Sequence, residues 1–459
     1  MLGLIITFGA VCAAAYLIAK KYYPALSLLV VGLVTLTIVG LISPDPLITG
    51  KKATKLFAFD VVQVFTNLLQ TRTAGLGMNI MVIGGFSYYM DKIGATRALV
   101  SVCVKPLSKI HAPYVVMAAG YVLGQLLNIF VPSAVGLALL LMVTLYPLLV
   151  SAGISRHSAA ATIAITGACG LGPSSGNMIL GAEISKMHVM EFFLNGQVLV
   201  AMFIIPAVAV VHFFIQQWFD KKDLASGKIS QADFGLTSQS AETEAEKAPT
   251  FYALFPLLPV VLLFVFSPLM YKGVRLEVVT ALLIALLASF ACDLLRRRNV
   301  KESFATMKSF FDGMGKLFSS TVTLIICAEV FAAGLTKSGG IATLISWVGS
   351  MDAGAIAIFT VMFVIVAVAA MVTGSGNAPF FSFAPMIPDA AAGVGANVAM
   401  MLVPLQLVSG IGRSMSPVAG VCMAVAGMSG ITPFDLVRRT IPVMAVAMVV
   451  CYLRSLMLV

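Results

Sequence analysis

Apolar runs of about twenty residues, the length needed to cross a hydrocarbon core of about 30 Å, recur along the chain at 2–19, 24–43, 74–91, 158–184, 190–216, 250–269, 275–294, 317–335, 398–428 and 437–457. Each predicts a membrane-crossing helix. Lys20 and Lys21 follow the first run and no basic segment precedes it, so it is expected to be an uncleaved span with its N-terminus outside, not a signal peptide. Two further stretches, 112–152 and 353–393, are nearly uncharged but are interrupted midway by small and polar residues. Each reads either as two spans joined by a tight turn or as a hairpin that enters the membrane and returns to the same face. Non-helical backbone at membrane depth is tolerated only where protein or a water-filled cavity satisfies its amides. The tips Val131-Pro132-Ser133-Ala134-Val135-Gly136 and Thr373-Gly374-Ser375-Gly376-Asn377-Ala378-Pro379 are too polar for lipid and too uncharged for a surface loop, which favours re-entrant hairpins.

The order of these elements repeats. Phe86, Lys92 and Gly94 match Phe331, Lys337 and Gly339 at one spacing; Ser133 and Gly153 match Ser375 and Gly395; Pro173, Gly176 and Ser185 match Pro417, Gly420 and Ser429. Single matches in Gly- and Ala-rich sequence mean little; the shared order of spans, polar arm, interrupted hairpin, broken span and last span carries the weight. Five crossings per unit is an odd number, so the copies must lie inverted, a signature of secondary transporters. The predicted fold is an all-α polytopic membrane protein of two inverted repeats, 1–216 and 250–459, each with five spans and one re-entrant hairpin. The polar stretch 217–249 is expected to be a cytoplasmic linker without chemistry.

Composition agrees: 60% of residues are apolar and only 10% charged, against about 25% charged in soluble domains. The chain must therefore present most of its surface to lipid. The 29 Lys+Arg against 19 Asp+Glu give a net charge of +10, but the basic residues sit between apolar runs and read as orientation signals, not a nucleic-acid patch. Most of them, including Lys92, Arg97, Arg156, Arg296, Arg297, Arg298, Arg438 and Arg439, fall on one face, the expected cytoplasmic one; both termini and a minority such as Lys55, Lys186 and Arg454 fall on the other. The first hairpin then opens from the cytoplasm and the second from outside. Seven scattered cysteines and four histidines suggest neither a disulfide framework nor a metal site.

Arg413 stands alone in some thirty otherwise uncharged residues, where an arginine costs about 2.5–3.5 kcal/mol on insertion scales. Its planar fork suits a carboxylate, so an anionic substrate is the expected transient partner, with a structural ion pair to a residue such as Glu329 as the alternative. Gly410, Gly412 and Pro417 argue against continuous helix here, and freed amides can also face an anion. The first-half counterpart, Gly170-Leu171-Gly172-Pro173-Ser174-Ser175-Gly176-Asn177, lacks the arginine. Its unwound carbonyls, with Ser175, Asn177 and the tip residue Ser133, are candidates for a small cation or a second anionic group; close helix packing on small residues is the competing explanation. Gly172-Pro173-Ser174-Ser175-Gly176 formally matches a Gly-x-Ser-x-Gly nucleophile, but a serine needs a base within reach, and an intramembrane serine hydrolase would leave the second half without a task. No catalytic residue, cofactor or bound metal is expected.

Gly153-Ile154-Ser155-Arg156, the run 373–380, Gly412-Arg413-Ser414-Met415-Ser416-Pro417-Val418-Ala419-Gly420, Ala424-Val425-Ala426-Gly427-Met428 and Pro433-Phe434-Asp435-Leu436-Val437-Arg438-Arg439-Thr440 resemble the DcuC family of anaerobic C4-dicarboxylate carriers along nearly the whole length. The resemblance implies a bacterial inner-membrane secondary carrier of succinate, fumarate and malate in the ion-transporter superfamily; another organic anion such as citrate is the alternative within it. It also implies a homodimer with a scaffold (1–95 and 250–336), amphipathic arms (96–111 and 337–350) and a transport domain that moves as an elevator, built from the hairpins 112–152 and 353–393 with the broken and last spans 157–216 and 397–459. A C4-dicarboxylate carries two charges about 6 Å apart, so Arg413 with Ser414 and Ser416 would clamp one carboxylate, and Thr373, Ser375, Gly376 and Asn377 would hold the other or cap the same one, with Ser133, Ser175 and Asn177 completing the cavity. Sodium coupling would use Ser133, Gly136, Gly172, Asn177, Ser375, Asn377 and Gly412; proton coupling would need Glu183, Glu329 or Asp389.

Overall fold

The computed structural model describes residues 2–20, 22–42, 46–48, 53–234, 248–267, 270, 273–274, 276–340, 343 and 354–458. Among them all regular structure is helical. Seven helices are long and apolar enough to cross a membrane, and three shorter apolar helices accompany them. The central stretch of the linker and most of the second arm lie outside the described residues.

The first half opens with α1 (Leu2–Ala19) and α2 (Pro24–Ile42), divided by a turn that ends on Pro24, the position where a missing amide costs nothing. α3 (Phe57–Arg72) passes through one π turn, Thr73–Gly77, into α4 (Met78–Lys92). A short α5 (Ala95–Val104) leads to the first hairpin, α6 (Pro113–Asn128) and α7 (Ala134–Ser151). Helices α8 (Arg156–Ile165) and α9 (Gly176–Ile184) are separated by unwound backbone, and α10 (Val189–Phe192) continues through a second π turn into α11 (Val198–Ala225).

The second half follows the same order. α12 (Leu258–Val265) and α13 (Val278–Arg297) precede α14 (Val300–Leu317), which runs through the π turn Phe318–Val322 into α15 (Thr323–Lys337). The second hairpin has α16 (Gly354–Thr373) as its first limb and α17 (Asn377–Phe383) with α18 (Ile387–Val394) as its second. Broken α19 (Val398–Arg413) and α20 (Gly420–Ser429) lead to α21 (Pro433–Leu456). The π turns after α3 and α14 lie 245 positions apart. Left-handed backbone occurs at Gly94 and Gly339, at Gly153 and Gly395, and at Lys186 and Gly430.

Glycines let the long helices cross at backbone contact. A Cβ on Gly32 of α2 would lie 2.7 Å from the Phe331 nitrogen of α15, and one on Gly85 of α4 would lie 2.5 Å from the Phe310 carbonyl oxygen of α14. With lipid outside, such close approach supplies packing that a hydrophobic driving force cannot. The outward faces carry large apolar side chains, as with Leu26, Val30, Val34 and Ile38 on α2, about one turn apart and all exposed.

Several expected boundaries shift. The span placed at 74–91 belongs to a helix that starts at Phe57 and includes Arg72. The span at 317–335 starts at Val300, because α14 is amphipathic and its charged face lowers the local hydropathy. The span at 190–216 runs on to Ala225, so Asp220 and Asp223, assigned to the linker, are helical and buried. Arg438 and Arg439, read as orientation charges, are their partners: fully buried Arg439 reaches Asp220 at 2.6 Å and Asp223 at 2.7 Å, and Arg438 also pairs with Asp223.

Candidate functional site

The two hairpin tips and the two helix breaks meet at one place. Gly172 in the first break faces the first tip so closely that a Cβ there would lie 2.7 Å from the Ile129 backbone. Gly374 of the second tip has φ +67° and would set a Cβ 2.8 Å from the Ala419 nitrogen in the second break; the left-handed conformation and the contact both require glycine. The first break lies against α19, the helix that leads into the second break, where Gly410 faces Ala168 with only 2.1 Å for a Cβ before the Ala168 carbonyl oxygen.

Unwound backbone leaves carbonyls without helical partners, and buried ones must be paired. Two glutamines do this in the first break. Gln406 Nε2 donates to the carbonyls of Cys169 and Gly170, both at 3.2 Å. Gln197 Nε2 donates to the same two and to Gln406 Oε1 at 2.7 Å, while its own Oε1 accepts from the Gly172 amide at 3.2 Å. Both side chains are buried. Neither was a predicted site residue; the available signal was a glutamine within an apolar run in each of two helices.

Arg413 ends α19 at the second break, and its Nη2 donates to the Gly167 carbonyl in the first at 2.8 Å. Its Nε is buried and without a partner. Among the described residues no carboxylate forms an ion pair with it. Glu329, the alternative partner, is taken: Arg72 Nε reaches it at 2.7 Å and Arg72 Nη1 reaches Glu183 at 2.6 Å. Neighbouring Ser414 is buried, its hydroxyl on the Gly410 carbonyl and its own carbonyl accepting from Thr440 Oγ1 at 2.8 Å. The Ser416 hydroxyl is buried and unpartnered.

The remaining predicted residues divide by role. Ser133, Ser175 and Ser375 each accept an amide at the start of the following helix, from Gly136, Met178 and Ala378. Thr373 Oγ1 donates to Ala369 and accepts from the Ser375 amide. Asn377 is exposed, whereas Asn177 is buried with its Oδ1 unpartnered. Gly376 packs on Ser409 and Gly410, one turn before Arg413, and Gly412 packs on the Ala367 carbonyl. Asp389 is exposed in the first turn of α18. The arrangement offers a fixed cation, a helix start at α20 without a side-chain cap and the unpartnered Ser416 hydroxyl at one junction, a set suited to holding an anion.

Known proteins agree with this architecture. The family model described as C4-dicarboxylate anaerobic carrier, DcuC, matches residues 2–459. The chain is 36% identical to the anaerobic C4-dicarboxylate transporter DcuC of Escherichia coli K12 over 459 residues, covering 100% of this chain and 96% of that protein. It is 35% identical to the probable DcuC of Vibrio cholerae over 446 residues, covering 97% of this chain and 94% of the relative. Two solved transporters share the fold: YdaH of Alcanivorax borkumensis, with a TM-score of 0.61 at 14% identity over 95% of this chain and 98% of its own, and MtrF of Neisseria gonorrhoeae, with 0.58 at 12% identity over 96% of each. With helix breaks, hairpins and membrane-length helices in this order, the protein is a multi-pass membrane transporter, not an enzyme, and it belongs to the DcuC family of C4-dicarboxylate anaerobic carriers.

Proposed function

We propose that this transporter is an ion-coupled secondary carrier of succinate, fumarate and malate in the bacterial inner membrane. The observation that carries the reading is Arg413: a cation at the junction of both breaks with a single carbonyl bond, a buried Nε without a partner and no carboxylate paired to it among the described residues. A substrate carboxylate supplies the missing partner through the guanidinium fork. Ser414, Ser416 and the second tip (Thr373, Ser375, Gly376, Asn377) assist in this reading, and Ser133, Ser175 and Asn177 complete the site from the first half.

In this reading the two halves are inverted repeats, supported by the equal order of elements and the matched π turns and left-handed residues. Residues 1–95 and 250–336 form a scaffold that holds a homodimer. The hairpins, broken helices and last spans form a unit that moves against it to expose the site to either side, with 96–111 and 337–350 as connecting arms. Glu183 and Glu329 are engaged by Arg72, which favours sodium over protons as the coupling ion. Sodium would be held by hairpin-tip and break oxygens from among Ser133, Gly136, Gly172, Asn177, Ser375, Asn377 and Gly412. Protein reconstituted in liposomes should show saturable counterflow of radiolabelled succinate that falls when choline replaces sodium at fixed pH. Flux that follows voltage without saturating would overturn the carrier reading.

A further inference from the structure

The proposed scaffold and moving unit meet along a surface that is almost without polar contacts. Around Gly176, at the start of α9, the nearest atoms to a built Cβ are the Ile80 and Thr321 side chains of the long helices and Phe381 of the second hairpin, all at 3.7 Å. Among the described residues a single ion pair joins the two sides, Arg72 Nη1 of α3 to Glu183 Oε1 of α9 at 2.6 Å. Every other ion pair lies within the long-helix side (Arg72 with Glu329; Arg296, Arg297, Asp293 and Glu302), or within the other side and the start of the linker.

We infer that Arg72 and Glu183 form a latch that holds the moving unit in the conformation described here and opens once in each transport cycle. The inference rests on the two-unit reading above. Arg72 is built for this role because its fork serves two carboxylates with different nitrogens: Nε on Glu329 and Nη1 on Glu183. Glu329 has 6% of its side chain exposed and sits on the same side of the interface, so that pair stays closed and keeps the arginine neutralised when Glu183 leaves. Glu183 has 38% exposed, so water takes over its carboxylate on release. Partly exposed pairs are weak enough to open within a catalytic cycle, and buried ones are not. The sequence signal is the polar run Gln70-Thr71-Arg72 directly before the π turn Thr73–Gly77, a feature that often marks functional positions.

Thr321 provides the readout, since it is 7% exposed and lies against the start of α9. Thr321→Cys is introduced into the full-length protein in liposomes, and maleimide labelling at residue 321 is followed by peptide mass spectrometry, which leaves the native cysteines in place. Succinate should change the labelling rate in the otherwise wild-type protein. Glu183→Gln should raise it about two- to five-fold without succinate, the size expected for one partly exposed pair. Arg72→Lys should do the same, because an ammonium cannot hold two carboxylates in the fork geometry. If succinate changes labelling but both variants label at the wild-type rate, the latch is wrong and the two-unit reading stands. If residue 321 is equally protected in all three proteins with and without succinate, the two-unit reading falls and the latch with it.

Discussion

The pairing of Gln197 with Gln406 makes a quantitative test of how the first helix break is held. Gln406→Leu keeps side-chain volume but removes two bonds to the Cys169 and Gly170 carbonyls and one from Gln197. Gln197 still reaches both carbonyls, at 3.4 and 3.1 Å, so no acceptor is orphaned and the cost should be about 1–2 kcal/mol, given about 0.6 kcal/mol for an average bond inside a membrane protein. Adding Gln197→Leu strands both carbonyls and the Gly172 amide together. Each buried group left unpaired costs about 1–3 kcal/mol, so the three together should cost the double variant about 3–9 kcal/mol. Gln197→Leu alone strands the Gly172 amide and Gln406 Oε1, and a double-mutant cycle isolates how far the two losses depart from additivity, as expected for residues in one network. The measurement is reversible denaturant unfolding in detergent micelles, checked with succinate-dependent thermal shifts. Near-additive losses under 1 kcal/mol would refute the reasoning and mean that something other than these glutamines satisfies the break.

Two further substitutions probe the junction and its support. Gly410→Ala places a methyl 2.1 Å from the Ala168 carbonyl oxygen and must push α19 away from the first break; overpacking of this kind costs about 1–3 kcal/mol, and succinate counterflow should fall more than about tenfold, whereas Gly427→Ala, with nothing within 4 Å, should transport normally. Arg439→Met leaves Asp220 buried without its cation and Asp223 with Arg438 alone; a loss of about 3–5 kcal/mol follows, read as a collapse of the monodisperse fraction in size exclusion, and pairing it with Asp220→Asn should recover part of that loss.

Apolar run length and the Gly and Pro positions made the helices, both hairpins and both breaks legible, because these depend on local backbone chemistry: helix is interrupted around Gly172-Pro173 and around Pro417, although α19 carries Gly410 and Gly412 within it and ends only at Arg413. Arg413 was legible for the same reason, as an isolated cost that demands a partner. Arg72 was not, since it sits among Gln70, Thr71 and Thr73, where hydropathy drops and the apolar run begins only afterwards. Asp220 and Asp223 follow Trp218 in a stretch whose two lysines make it look like a surface linker; only the fold brings Arg438 and Arg439 against them. Gln197 and Gln406 show the same limit. Each is an unremarkable polar residue in its own helix, and their shared task exists only once α19 packs against the first break, more than two hundred residues away in the chain.

The central claim, that a substrate carboxylate completes the coordination of Arg413, is tested most directly by calorimetric titration of succinate into purified wild-type protein, Arg413→Lys and Arg413→Ala, each first shown to be folded and monodisperse. Hydrogen bonds to charged groups contribute about 1.5–3 kcal/mol each, so losing a two-bond fork should weaken binding by about a hundredfold or more in Arg413→Ala. Lysine keeps the charge without the fork, and its loss should be smaller, on the order of tenfold. Wild-type affinity in Arg413→Ala would contradict the account and return this arginine to a purely structural role as a tie between the second break and the Gly167 carbonyl.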